Sequence, residues 1–182
     1  MIPFMNKVKS QVMHKIYMLS RVRKYLTRDA AITIFKSMLL PFFEYGSVFL
    51  EPCPEKLKGK LDRLYLRGIR LALKNYDNVD EGVLLDKIIL LSLRDRREIC
   101  IGKLVFNKIN KGKIEIQDNT LNTRIHDGRT LAWPDVSNDR FKLFIPHLGP
   151  TVWNRLPSDL RNVNDVQVFK NSIKTHFKDK QK

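Results

Sequence analysis

From Asn6 to about Tyr25, the apolar residues Val8, Val12, Ile16 and Leu19 recur at steps of four, four and three. Lys7, Lys9, Lys15, Arg21, Arg23 and Lys24 lie among them, which predicts an amphipathic first helix. Thr27 can cap a second helix, with Asp29 favourable in its first turn and Ala30-Ala31 as good helix formers. Ile32, Phe35 and Leu39 give that helix a buried face, and Pro41 should kink or end it by removing a backbone donor. The segment Phe42-Phe43-Glu44-Tyr45-Gly46 is dense in aromatics and should pack back on the first two helices.

The clearest pattern follows Pro54, which suits the first turn of a third helix. Lys56, Lys60, Arg63, Arg67, Arg70 and Lys74 follow steps of four, three, four, three and four. At about 100° per residue all six project into one narrow sector. Leu57, Leu61, Leu64, Leu71 and Ala72 line the adjoining flank, with Tyr65, Ile69 and Leu73 further round. A cationic stripe is often only the wet face of a helix. This one contains no acid, whereas a merely solvated face normally mixes signs to gain pairs at four-residue spacing. A phosphate-facing ridge is therefore the favoured reading.

Beyond the polar connector Asn75 to Gly82, a short helix is predicted over Val83 to Ile89. Ser92 then caps a longer one from Leu93 to about Asn110, with Asp95 in the acidic position of a capping box and Gly112 at its end. Arg94, Arg96 and Arg97 stand near its beginning, where the helix dipole disfavours cations. Such arginines need a partner, either a carboxylate such as Asp95 or Glu98, or a phosphate. After Gly112 the chain is richer in Asn, Asp and Thr. Arg129 to Trp133 and Arg140 to Ile145 read as two short strands around a turn-rich Pro134 to Asp139. Gly149-Pro150 opens a short helix through Thr151 to Arg155, stopped by Leu156-Pro157. Asp165, or Asn164 beside it, starts a last helix through Phe169, Ile173 and Phe177, and the lysines after His176 read as a frayed end. The fold expected is mainly α, a helical bundle over 1–75, connecting helices over 76–112, and a small α/β region over 113–182 with a short hairpin.

Charge changes the picture more than composition does. Against 19 Asp+Glu stand 34 Lys+Arg, a net +15 over 182 residues, with a hydrophobic share of 43% that fits a globular chain. Such an excess favours a polyanion, because each cation that neutralises a phosphate releases condensed counterions. Nucleic acid comes first and an anionic membrane surface second. Cys53 and Cys100 are far apart in unrelated contexts, which points to a reducing nuclear or cytoplasmic compartment. No apolar run nears the roughly 20 residues needed to span a bilayer, and Met1 to Lys9 lacks the apolar core of a secretory signal.

Candidate chemistry is sparse. His14, His126, His147 and His176 are scattered, and neither cysteine has a partner at metal-binding spacing. There is no glycine-rich phosphate loop and no Gly-x-Ser-x-Gly elbow. Asp62, Asp86, Asp95, Asp127, Asp135 and Asp159 are spread singly, without the pairing that two-metal phosphoryl chemistry needs. Glu51/Glu55 and Asp80/Glu81 are close pairs in loops, better explained by charge balance than by metal binding. His126-Asp127 beside Arg124 and Arg129 reads as an ordinary loop. The expectation is a chain with no self-sufficient catalytic site, no cofactor and no small-molecule substrate.

Several stretches taken in order resemble the region that follows the polymerase palm in reverse transcriptases of non-LTR (LINE-like) retrotransposons. One is Leu19-Ser20-Arg21-Val22-Arg23-Lys24-Tyr25-Leu26-Thr27, running on to Met38-Leu39-Leu40-Pro41-Phe42-Phe43-Glu44-Tyr45-Gly46. Another is Gly149-Pro150-Thr151-Val152-Trp153-Asn154-Arg155-Leu156-Pro157, followed by Leu160-Arg161-Asn162 and Phe169-Lys170. Between them, Leu61 to Leu73 is similar to the family's basic helix, Leu93 to Arg97 to its leucine with paired arginines, and Thr123-Arg124 to a dipeptide preceding the last block. The resemblance implies a helical thumb over Asn6 to about Asn75 that grips a template–primer duplex through Lys56, Lys60, Arg63, Arg67, Arg70 and Lys74. Arg21, Arg23, Lys24, Arg96 and Arg97 form secondary clusters, and the partner would be RNA, DNA or an RNA–DNA hybrid. The family's catalytic aspartates belong to fingers and palm, so polymerase activity does not carry over to these residues. The leading expectation is a non-catalytic binding module; the alternatives are the tail of a longer active polymerase, or a decayed element acting only in protein interaction. Tyr65-Leu66 stands where relatives often carry Gln-Asn, which puts a polar contact there in doubt. In the last block Trp153, Leu156, Pro157 and Phe169 read as core and turn positions, and Arg155 and Arg161 as exposed.

Overall fold

The computed structural model describes residues 2–44, 50, 53–77, 79–112, 114, 129–131 and 145–181. Within them the chain is mainly helical, and it divides into two compact units, 1–96 and 97–182. The division falls inside a helix, so the connecting segment expected over 76–112 is shared between the units.

In the first unit, α1 (Ile2–Val22) buries the expected stripe of Val8, Val12, Ile16 and Leu19. A single 3-10 turn, Arg23–Tyr25, leads to α2 (Arg28–Ile34), whose Thr27 side chain accepts from the Ala30 amide at 3.3 Å as a cap should. Pro41 does not end this helix. The chain passes through a π-helical turn, Phe35–Leu39, in which the Leu40 amide reaches the Phe35 carbonyl, and then continues as α3 (Leu40–Glu44). The wider turn comes just before the proline, where the amide that would close the next helical bond is missing. Phe43 is buried, and Phe42 packs against the same core, as expected of that segment; Tyr45 and Gly46 lie outside the described residues.

Helix α4 (Glu55–Leu73) starts directly after Pro54 and is the centre of this unit. Leu61, Leu64, Tyr65, Gly68, Ile69 and Ala72 are buried, and the helix packs on α1, on α2 and on α5 (Glu81–Ile88). Tyr65 is enclosed between Phe35, with ring centroids 5.8 Å apart, and Phe43, at 5.3 Å and edge-on. Its hydroxyl donates to the Leu91 carbonyl at 2.9 Å, and burial raises its pKa far above the ordinary tyrosine value, so it stays neutral. At Gly68 an added Cβ would lie 2.7 Å from Cε2 of the fully buried Phe35 ring; only a glycine allows the two helices to approach this closely. Asp80 caps α5 through the Gly82 amide, and Ile89 leaves it in the left-handed region with φ 55°.

Helix α6 (Leu93–Asn110) begins at the predicted cap, where Ser92 Oγ accepts from the Asp95 amide at 3.1 Å; Asp95 Oδ2 accepts from the Ser92 hydroxyl at 2.7 Å, a variant of the expected capping box. The second unit is built from its C-terminal part with α7 (Ile145–Asn154), a single turn α8 (Ser158–Arg161) and α9 (Val166–Gln181). Phe106, Trp153 and Phe169 form its aromatic centre, Phe106 and Phe169 stacked at 4.1 Å. Asp165 caps α9 by accepting from the amides of Gln167 and Val168, both at 2.7 Å.

The second unit corrects several expectations. Ile145 is the first residue of α7, not the end of a strand, and this helix begins ahead of Gly149-Pro150 and holds Pro150 within it. Arg129, Thr130 and Leu131 form no regular element, and no strand occurs among the described residues; the rest of the expected hairpin, 132–144, lies outside them. The α/β character expected of the C-terminal region is therefore absent from what is described. Residues beyond His176 continue α9 to Gln181 instead of fraying.

Candidate nucleic-acid interface

The cationic residues of α4 separate into three situations. Lys56, Arg63 and Arg67 are exposed and Lys60 is half-exposed. Lys56, Lys60 and Arg67 form no ion pair or hydrogen bond with a described side chain, and Arg63 only folds its Nε back to the Gly59 carbonyl at 3.2 Å. Arg70 is partly withdrawn: its Nη2 donates to the Val79 carbonyl at 3.4 Å, while its Nε is buried with no acceptor. Lys74 is beyond the helix proper, where it takes the left-handed cap position with φ 52°. One further cation of this helix, Lys58, is buried and pairs with Glu55 at 2.7 Å. The ridge is thus continuous from Lys56 to Arg67 and tapers toward the C-terminus.

The secondary clusters divide more sharply. Arg21 and Lys24 are exposed, Arg21 over the Tyr17 ring at 5.9 Å and Lys24 over the Tyr25 ring at 4.7 Å. Arg23 is a correction. It is 4% exposed, and its guanidinium donates to the carbonyls of Leu71 at 3.0 Å, Leu26 at 2.9 Å and Ala72 at 2.9 Å. Two of these carbonyls lie at the negative end of α4, that of Leu71 also accepting from the Lys74 amide at 3.2 Å, so Arg23 caps that helix from a distance and is buried away from any phosphate. Arg96 pairs with Glu44, a carboxylate distant in sequence in place of the neighbouring Asp95 or Glu98. Arg97 is buried, as is Arg161, whose Nε donates to the Leu156 carbonyl at 3.0 Å. Arg96 and Arg97 therefore do not form an open basic patch, and Arg161 is not exposed; Arg155 is.

What sequence periodicity missed is a groove of about 780 Å³ in the first unit between α1 and α4. Met13, Tyr17 and Ser20 of α1 form one wall. Arg63, Arg67 and Arg70 form the other, and Tyr76 stands beyond the α4 cap. Among the described residues no acidic side chain lines it. Met13, Tyr17 and Ser20 follow steps of four and three, so a second stripe beside the buried one on α1 was available as a signal. Tyr76 gave none.

The most specific sequence block turns out to be structural. Trp153 is fully buried and donates from its indole to the Arg129 carbonyl at 2.7 Å. Asn154 both accepts from the Leu131 amide at 3.0 Å and donates to the Leu131 carbonyl at 2.9 Å, closing a side-chain imitation of a strand pair. Among the described residues no group of three or more His, Cys, Asp or Glu is placed to hold a metal ion, and no helix is long and apolar enough to cross a membrane. No protein-family model, curated protein or solved structure matches the chain.

Proposed function

We propose that the first unit is a nucleic-acid-binding module that takes the phosphate backbone of RNA, DNA or an RNA–DNA hybrid along α4, in the manner of a thumb of a non-LTR reverse transcriptase. The observation that carries this reading is the row Lys56, Lys60, Arg63 and Arg67. These are four cations on one side of a helix whose opposite side is fixed in the core, with no carboxylate neutralising them among the described residues. Holding such charges together costs self-repulsion, which a polyanion relieves. Contacts of this kind position the nucleic acid and carry little sequence information. In this reading the chain binds without a catalytic centre, cofactor or small-molecule substrate of its own. Any polymerase chemistry would come from fingers and palm, and the partner places the protein in the nucleus or cytoplasm.

The test is salt-titrated binding by fluorescence anisotropy to labelled RNA–DNA hybrid, duplex DNA and single strands. Four neutralised phosphates give a log–log slope of about −3.6 on duplex, a loss of roughly a hundredfold between about 50 and 200 mM salt. Replacing Lys60, Arg63 and Arg67 by Gln should reduce that slope by about three while leaving helicity unchanged. Affinity indifferent to salt, or a variant with an unaltered slope, overturns the proposal.

A further inference from the structure

The groove between α1 and α4 has more to it than a phosphate ridge requires. Its Arg63, Arg67 and Arg70 wall faces an apolar one, and two tyrosines stand at it with their rings in solvent, Tyr17 60% and Tyr76 71% exposed. Arg21 adds a further cation over the Tyr17 ring. A double helix presents phosphates and sugars outward and keeps its base faces stacked inside, so it would leave the apolar floor and the tyrosines uncovered. An unpaired nucleotide offers both an anionic backbone and a free π-face, which is the combination met by cationic grooves with stacking aromatics. The volume, about 780 Å³, lies in the range of pockets that enclose small organic groups.

We infer that this groove seats unpaired nucleotides of a single-stranded segment, with bases against Tyr17 and Tyr76 and phosphates at Arg63, Arg67 and Arg70. The inference rests on the nucleic-acid reading of α4 and adds to it a base-dependent site for single strands. Two uses of the same ridge follow: backbone contact alone for a duplex, and backbone plus stacking for an unpaired strand.

The experiment compares the full chain on three probes of equal length: a single-stranded oligonucleotide, the same strand with abasic sites replacing several bases, and a blunt duplex. The intact strand should bind at least about tenfold more tightly than its abasic counterpart, each of the two base–aromatic stacks adding about tenfold or more. Tyr17→Ala and Tyr76→Ala should remove that advantage while leaving duplex affinity and the salt slope as they were, and Tyr17→Phe should retain it. Equal binding of intact and abasic strands, or tyrosine variants that keep the preference, overturns the inference even if salt-dependent duplex binding persists. Absence of binding to every probe at low salt overturns the nucleic-acid reading itself, and with it this one.

Discussion

Two glycines in the same helix should respond unequally to alanine. Gly59 and Gly68 both lie inside α4, so each Gly→Ala change gains the same intrinsic helix propensity, about 1 kcal/mol. Their surroundings differ. A Cβ at Gly59 meets no atom within 4 Å. A Cβ at Gly68 would lie 2.7 Å from Cε2 and 3.3 Å from Cδ2 of Phe35, and 3.5 Å from Leu39 Cδ2. Phe35 is fully buried and its ring is held on another side by Tyr65, so it cannot swing aside as an exposed side chain would. Overpacking of this kind costs about 1–3 kcal/mol. Subtracting one variant from the other cancels the propensity and leaves the steric cost. Gly59→Ala should thus be about 1 kcal/mol more stable than the wild type, and Gly68→Ala less stable than Gly59→Ala by about 1–3 kcal/mol. Urea unfolding followed by far-ultraviolet circular dichroism measures both midpoints with the slope as a control. Gly68→Ala as stable as Gly59→Ala would refute the close approach of α4 to Phe35.

Arg23→Gln should destabilise the protein by about 3 kcal/mol, since it removes charge-assisted bonds to Leu71, Leu26 and Ala72, the last of them buried. Arg21→Gln, on the exposed side of the same turn, should stay within about 0.5 kcal/mol in the same denaturation experiment. Ile89→Gly should raise stability by about 1 kcal/mol, because a β-branched residue is strained at φ 55° and the Ile89 side chain is 73% exposed with little packing to lose; an unchanged midpoint would refute strain there. Glu81 has its pKa raised above 4.5 by burial and by the neighbouring charges of Asp62, Asp80 and Asp95, with Arg70 opposing. A raised folded pKa favours the fold fully below the unfolded value, and that benefit is lost as pH rises through the folded one. Glu81→Gln should accordingly stabilise the protein at neutral pH and have no such effect well below pH 4.5, which unfolding curves at the two pH values would check.

Much of the first unit was legible in the sequence because its signals are local. A stripe such as Val8, Val12, Ile16 and Leu19 defines a helix from spacing alone, and Thr27 and the Ser92–Asp95 pair mark their own caps. Tyr65, expected on the apolar side of the basic helix, is buried between Phe35 and Phe43. What could not be read is what depends on distant backbone. Arg23 has the same sequence context as Arg21 and Lys24, and only the arrival of the α4 C-terminus separates them. Glu44 became the partner of Arg96 through packing across 52 residues. Ile145 was misassigned for another reason: a short apolar run has no period long enough to distinguish strand from helix.

The net charge of +15 consequently says less about the surface than it first implies. Arg23, Lys58, Arg97 and Arg161 are buried, and Arg96 is tied to Glu44, so these five cations serve the fold and not an open surface. What is left for a ligand is selected by geometry. On α4 Lys58 is buried and paired with Glu55, while Arg63 and Arg67 are exposed and border a groove with exposed tyrosines. A surface built for solubility alone has no reason to keep like charges unpaired beside an apolar trough, because mixed signs would serve as well at lower electrostatic cost. The cost is explained if an anion with flat, apolar faces settles there. The tyrosine variants are therefore more discriminating than any removal of charge: eliminating cations weakens every polyanion alike, whereas only an unpaired base is affected by the loss of a ring.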